Sequence, residues 1–467
     1  MKKTSFLALL LVIVLCLPAL AACNGDRNQG STTVEETTVP EETTVSEETE
    51  IESLDFISNG DGTCYVSGIG TYMGIDAYTY REELVIPDVS PDGDIVTGIG
   101  DGAFKYCYDF RKVTIPDSVI SIGSEAFYSC EIKSVVFGEN SQLASIGDDA
   151  FRYCWHLEQI TIPDSVVSIG ENAFWCCYDL ESVVFVENSQ LISIGKLAFL
   201  SCEKLASIDF GANSQLKSIG DSAFVQCENL ESVNIPSGVT DIGHTAFSCE
   251  NIKSITVDED NEYYKSIDGN LYNKDATVII QYALGKSDTS FVVPDSVTRI
   301  GYEAFSDSKN LTSVIIPDGV TSIDERAFIC CDALVSVDFG ENSKLTSIGE
   351  CAFGYNINLT SIIIPDGVTF IGGYAFDGCE RLESVVFGEN SQLTSIAEIA
   401  FRNCKSLTSI AIPKNVTHIG FNAFDGCSNL DTVYNMGSEE SWANIEIWFG
   451  NDSLKNSTII HNYVPEE

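Results

Sequence analysis

Apolar positions in this chain follow neither a helical period nor a long strand-like alternation; they fall in one fixed unit that recurs along most of the sequence. A clean copy places Leu157, Ile160, Ile162, Pro163, Val166, Ile169-Gly170, Ala173-Phe174 and Cys177 in order. The dipeptide Ala-Phe marks thirteen copies, with Phe at 104, 127, 151, 174, 199, 224, 247, 305, 328, 353, 376, 401 and 424. Apart from one gap the spacings are 23, 24 or 25 residues. Such a period marks stacked repeats, because one unit is too small to bury its own apolar face.

Each part of the unit has a physical reading. Leu-x-x-Val/Ile-x-Ile/Phe, as in Leu382 to Phe387, suits a short strand with β-branched residues turned inward. Proline ends it because it cannot donate to a ladder, and the following Asp-Ser or Asp-Gly is turn chemistry. Ser-Ile-Gly predicts a second short extended piece. The x-x-Ala-Phe-x-x-Cys stretch predicts one helical or 3-10 turn with Phe and Cys on one face. Copies with the turn IPDSV or IPDGV are 23 residues long, and the turn FGENSQL or FGENSKL adds two. Length variation confined to a turn leaves the buried rungs in register.

The repeat Leu-x-x-Ile-x-Ile-Pro-x-x-Val-x-x-Ile-Gly-x-x-Ala-Phe-x-x-Cys resembles the BspA-like class of bacterial leucine-rich repeats, whose members are cell-surface proteins. The resemblance runs from about residue 60 to the C-terminus. Gly60-Asp-Gly-Thr-Cys64-Tyr-Val looks like the opening strand of such domains, and Asp431-Thr-Val-Tyr434 through Trp442 and Ile445 to Asn462 like their closing segment. It implies a repeat solenoid of leucine-rich-repeat type, with short parallel β-strands, short helical or 3-10 turns and a right-handed curved stack. It also implies adhesion, with a protein or glycan on a cell or host surface as partner.

The N-terminus carries an address. Lys2-Lys3 and an apolar run from Phe6 to Leu20 predict a secretory signal over 1–22, too short to span a bilayer. Leu20-Ala21-Ala22-Cys23 looks like a bacterial lipobox, which makes Cys23 the expected lipid attachment site; ordinary cleavage after Ala21 is the alternative. Residues 24–55 hold ten acids against one base in Thr/Glu runs, so 23–55 is expected to be a self-repelling stalk. The remaining divisions are an N-terminal cap and first strands over 56–103, the solenoid over 104–424, and a C-terminal cap over 425–467. The expected location is the bacterial cell surface, with membrane contact through the N-terminal lipid only.

Charge narrows the partners. The chain has 69 acidic and 25 basic side chains, and from residue 56 onward 59 against 22. A surface this acidic repels polyanions, so nucleic acid is excluded as a partner and basic or neutral ones remain.

Seventeen cysteines first suggest disulfides. Ten of them, however, sit three residues after a repeat Phe, at 107, 130, 154, 177, 202, 227, 331, 379, 404 and 427. Stacked side chains at one repeat position point in parallel, which favours a ladder of inert buried thiols. A few disulfides and metal binding are the alternatives, with the adjacent pairs Cys176-Cys177 and Cys330-Cys331 as exceptions. Ser308 and Asn356 stand in where Cys is missing, which suggests a slot for a small side chain.

No catalytic constellation emerges. His156, His244, His418 and His461 occupy unrelated repeat positions, and Cys154-Trp155-His156 uses a ladder cysteine. No phosphate loop, paired-His metal motif or calcium loop is present, and no cofactor is expected. The one gap, from Phe247 to Phe305, holds Tyr263-Tyr264, Asp268-Gly269, Tyr272 and Tyr282. Asp-Gly between β-prone stretches predicts a hairpin, with the insert at about 258–290. It reads either as one or two degenerate rungs that continue the stack, or as a recognition feature presenting Tyr263, Tyr264, Tyr272 and Tyr282. The leading reading is a non-catalytic, surface-anchored binding protein. The alternative is a cell-envelope spacer or assembly component with no specific external ligand.

Overall fold

The computed structural model describes residues 54–69, 81–186, 188–211 and 213–465. The expected signal segment, Cys23 and the stalk as far as residue 53 lie outside the described residues. Leu54 and Asp55, assigned to the stalk by composition, already begin the strand Leu54–Ser58.

That strand forms an antiparallel hairpin with Thr63–Ile69, which then pairs in parallel with Ile95–Ile99. From there every repeat adds one strand to each of two ladders. Two-residue Ser-Ile strands form the first, such as Ser145–Ile146, Ser168–Ile169 and Ser193–Ile194. Longer strands form the second, such as Ser134–Phe137, Gln159–Ile162 and Ser182–Phe185. Pairing is parallel, with like repeat positions opposite each other: Ile160 faces Val183, and Ile162 faces Phe185. Side chains alternate across the pleat, so Ile160 and Ile162 are buried while Gln159 and Thr161 face solvent. The turn acids are structural, as predicted: Asp117 and Asp318 accept from the backbone N–H of Asn140 and Asn342 in the longer turn of the next repeat.

The third side of the rung differs from the expected helical or 3-10 turn. Among the described residues the helices are Glu439–Ala443 and Asp452–Asn456, both in the closing segment. The Ala-Phe stretch is a pair of overlapping turns. Within a rung, Ala150 N bonds Gly147 O and Arg152 N bonds Asp149 O. The alternate N–H groups point along the stack: Asp149 N bonds Glu171 O, Phe151 N bonds Ala173 O, and Tyr153 N bonds Trp175 O, at 2.7–2.8 Å. A 3-10 helix spends its interior N–H groups inside the rung; here half of them tie each rung to the next. The geometry requires left-handed backbone two residues before and two after each Phe. Non-glycine residues hold most of these places, including Asp149 and Tyr153 and even Leu197 and Ile399 at φ 57° and 61°.

Inside, the repeat Phe rings stack in a column. From Phe104 to Phe247 successive centroids lie 5.1–5.5 Å apart with planes within 10°. The column resumes at Tyr282, whose ring stacks on Phe305 at 5.2 Å, and runs to Phe424. Ile, Val and Leu of the strands complete the core, which falls into two apolar clusters meeting at the insert.

The insert continues the stack and also closes the first half of it. Asp268 and Gly269, both at positive φ, turn the strand Tyr264–Ile267 into Asn270–Asn273, the predicted hairpin in its two-residue form. Val278–Gln281 then pairs in parallel with Arg299–Ile300 and starts the second array. Backbone bonds from Ile255 N to Gly269 O and from Gly285 N to Ile252 O join the first array to the insert, and side chains supply its remaining last partners. Gln281 Oε1 takes the N–H of Phe247 at 3.4 Å, and the Tyr264 hydroxyl takes that of Ile242 at 3.0 Å. Asn261 donates to the carbonyls of Pro236 and Val239. The result is a polar seam between two dry cores.

Candidate partner-binding surface

The repeated cysteine has a definite task. Its thiol donates to the carbonyl oxygen of the preceding repeat's Phe: Cys154 to Phe127 at 3.1 Å, Cys177 to Phe151 at 3.2 Å, Cys249 to Phe224 at 2.9 Å, Cys427 to Phe401 at 3.0 Å. Asn356 makes the same bond through its amide, to Phe328 at 2.9 Å. The slot thus selects a donor, not only a small side chain. Ser308, the first such residue after the insert, finds no partner. None of the fifteen described cysteines is in a disulfide. Burial pushes the Cys154 and Cys379 thiols up to about 12, so they stay protonated and unreactive at neutral pH. Cys154 and His156 are not brought together: the thiol points inward, whereas His156 lies between Asp179 at 3.1 Å and Glu131 at 3.6 Å. Among the described residues no cluster of His, Cys, Asp and Glu is arranged to hold a metal ion.

Outside the rung, just past the Phe column, the first four repeats carry a continuous aromatic ridge. Tyr106, Tyr128 and Tyr153 meet edge to face at 5.5 and 5.4 Å, and Tyr153 contacts Trp155 and Trp175. Two cations lie over the rings. Lys105 Nζ is 4.6 Å from the Tyr128 centroid and the Arg152 guanidinium 3.7 Å from that of Trp175. Each is paired with a carboxylate, Glu125 at 2.7 Å and Asp149 at 2.8 Å, so the ridge is held rigid and carries little net charge of its own. Tyr106, Tyr108 and Trp155 are 53, 48 and 44% exposed, a large area of aromatic surface left to solvent. Rigid Tyr and Trp with stacked Arg is the composition that dominates binding energy at protein interfaces.

The repeat architecture decides the family. A family model described as the BspA type leucine-rich repeat region, six copies, matches residues 97–211, 187–274, 277–392 and 346–463. The chain belongs to the BspA-type leucine-rich repeat family. A leucine-rich cell surface protein of Faecalibacterium prausnitzii is 30% identical, with a TM-score of 0.59 over 88% of this chain and 98% of that one. The pneumococcal vaccine antigen PcpA shares the fold at 23% identity and a TM-score of 0.63, over 88% and 97% of the two chains. A Bacteroides ovatus leucine-rich repeat protein does so at 24% identity and a TM-score of 0.53, over 89% and 100%. No curated protein matches the sequence. No helix among the described residues is long and apolar enough to cross a membrane.

Within this BspA-type repeat the four tyrosines singled out from the insert separate. Tyr272 and Tyr282 are 0 and 1% exposed and belong to the second core, so they offer no contact surface; Tyr282 is the insert's substitute for the repeat Phe. Tyr264 is half-buried by its bond to Ile242. Tyr263 alone of the four is exposed, at 51%. The ridge was missed because its members lie in four different repeats. Aligning the repeats in columns brings Tyr106, Tyr128, Tyr153 and Trp175 together at one or two residues past Phe, a signal present in the sequence. A second feature is the solvent-facing row of the longer strands. In the second array it carries Val292, Ile315, Ile363, Val386 and Ile460, all 41–65% exposed. Asp338 is the one acid in that row.

Proposed function

We propose that this chain is a non-catalytic, surface-displayed binding protein that engages a neutral or basic protein partner through the aromatic ridge, with Tyr106 and Trp155 as its exposed members and the exposed Tyr108 two residues beyond Tyr106. The observation that carries the reading is that ridge: rigid aromatic area left exposed on a body that from residue 56 onward has 59 acidic against 22 basic side chains. Rungs that contact only their neighbours give an extended scaffold well suited to presenting it. Adhesion is the role this supports, with Cys23 as the lipid anchor and the Thr/Glu segment as the spacer that lifts the repeats from the membrane. That the related Faecalibacterium prausnitzii protein is described as a cell surface protein favours the same location.

The test is capture from host-matrix and bacterial-surface extracts, comparing the full chain with a Tyr106→Ala/Tyr108→Ala/Trp155→Ala variant. Because the three side chains are about half exposed, the variant should fold normally. A partner that binds saturably should lose roughly 30-fold or more in affinity, the effect of removing about 2 kcal/mol of hot-spot contact. Equal capture by both proteins rejects the ridge. The absence of any saturable partner favours the spacer role instead. Removing residues 258–284 would strip the caps from the first array, so the insert's surface is better probed with Tyr263→Ala.

A further inference from the structure

A cleft of about 520 Å³ opens at the N-terminal end of the short-strand ladder, lined by Ile57, Asn59, Tyr65, Ser67, Asp101 and Ser121 among others. It arises from two local departures from the repeat and from one position that the repeats share. The first is Gly98, which stands where the next repeats carry Ser121, Ser145 and Ser168; a Cβ there would come within 3.2 Å of Ser121 Oγ. The second is a bulge between Cys64 and Tyr65 that sets Tyr65 directly opposite Gly98. The shared position is Gly100, the glycine that the next rungs carry as Gly123, Gly147 and Gly170, where a Cβ would meet the Tyr65 ring at 2.9 Å. Tyr65 is thereby laid across two glycines and forms one wall of the cleft. Around it converge groups suited to hydroxyls. Asp101 is fixed by one carboxylate oxygen, which accepts from Ser124 N at 2.8 Å, and its other oxygen has no partner among the described residues. The hydroxyls of Ser67 and Ser121 likewise have none.

We propose that this cleft binds a neutral saccharide unit. An aromatic face packs against the C–H face of a sugar ring, while a fixed carboxylate and two hydroxyls accept from and donate to the ring hydroxyls. The volume lies within the range of about 300–1,000 Å³ usual for small-ligand clefts. Asp101 and the acidity of the whole body exclude sialic and uronic acids. The cleft draws on the same first rungs as the aromatic ridge but on their short-strand side, and shares no lining residue with it.

The experiment is ligand-observed NMR on the full chain with glucose, galactose and N-acetylglucosamine as probes and N-acetylneuraminic acid as the anionic comparison. Saturable, millimolar binding of at least one neutral sugar is expected, with none of the anionic one. Tyr65→Ala and Gly98→Ser, which restores the residue of the following repeats, should each weaken it about tenfold or more. Asp101→Asn, at an exposed position that leaves the core intact, should also weaken it and keeps the test sound if a core-facing variant misfolds. The ridge variant should bind sugar normally, which separates this site from the proposed protein contact. No saturable neutral-sugar binding, or binding unchanged in Gly98→Ser and Asp101→Asn, overturns the proposal.

Discussion

Replacing Asn451 tests whether side-chain amides hold the stack closed. In an interior repeat the Phe N–H bonds the Ala carbonyl of the next rung, as Phe401 N does Ala423 O at 2.8 Å. At the last repeat no such rung follows. Asn451, fully buried, stands in for it: Oδ1 accepts from Phe424 N at 2.9 Å, and Nδ2 donates to Gly420 O at 2.8 Å and Trp448 O at 3.0 Å. Asn451→Leu leaves one buried N–H without an acceptor and takes a donor from two carbonyls. At about 1–3 kcal/mol for each unsatisfied buried group, with some relaxation, the loss should be roughly 3–5 kcal/mol. Asn451→Asp keeps the acceptor but sets a carboxylate against two carbonyl oxygens, so it should cost at least as much at neutral pH. Burial against those oxygens raises its folded pKa above the unfolded value. The variant therefore regains stability as pH falls and the acid becomes able to donate. Hydrogen exchange read repeat by repeat is the assay. Amides of the last repeats should lose protection while those before residue 257 keep theirs. Unchanged protection in Asn451→Leu, or an even loss along the chain, would refute the reasoning.

Three further outcomes are expected. Leu197 holds a left-handed backbone position that Asn172 and Asn422 occupy elsewhere, so Leu197→Asn should raise the unfolding free energy by up to about 1 kcal/mol and move the denaturation midpoint upward, and a lower midpoint counts against strain at that site. Burial pushes the thiols of Cys154, Cys351 and Cys379 up to about 12 from 9.0, so above pH 9 the unfolded chain loses protons that the native chain keeps. Stability from these groups is present below that pH and is lost as pH rises, by about 4 kcal/mol per pH unit for the three together; Ala at all three should flatten the slope of an alkaline denaturation series. Finally, Cys23→Ser should shift the protein from the detergent-extractable membrane fraction to the soluble one, and unchanged partitioning would reject the lipid anchor.

The stack itself was legible because its causes are periodic: strand, proline turn, Ser-Ile-Gly and the Phe and Cys columns recur at positions a reader can align. The backbone of the Ala-Phe stretch was not. Its left-handed residues include Leu197, Thr245 and Ile399, whose propensities oppose that conformation. Hydrogen bonds between rungs impose it, and these appear only once the rungs are stacked. The insert misled in a similar way. Tyr272 and Tyr282 read as display residues by composition, yet both are buried in the second core, where the Tyr282 ring takes the place of a repeat Phe. Gln281 gave no signal because its role, replacing a carbonyl for Phe247, depends on a distance between two segments 34 residues apart. The cleft beside Tyr65 depends on a missing side chain at Gly98, visible only when that residue is aligned with the serines that follow it.

The seam at Gln281 also bears on how the chain reaches its native state. Contacts in each array join neighbouring rungs about two dozen residues apart, so no step requires closing a loop that spans the protein. Each array can nucleate at any rung and grow by adding the next. Growth through the first array ends where Asn261, Tyr264 and Gln281 supply the last partners, Gln281 coming from the strand that opens the second array. A chain emerging from its N-terminus can therefore complete one closed body early and leave few unpaired strand edges exposed while the rest is still being made.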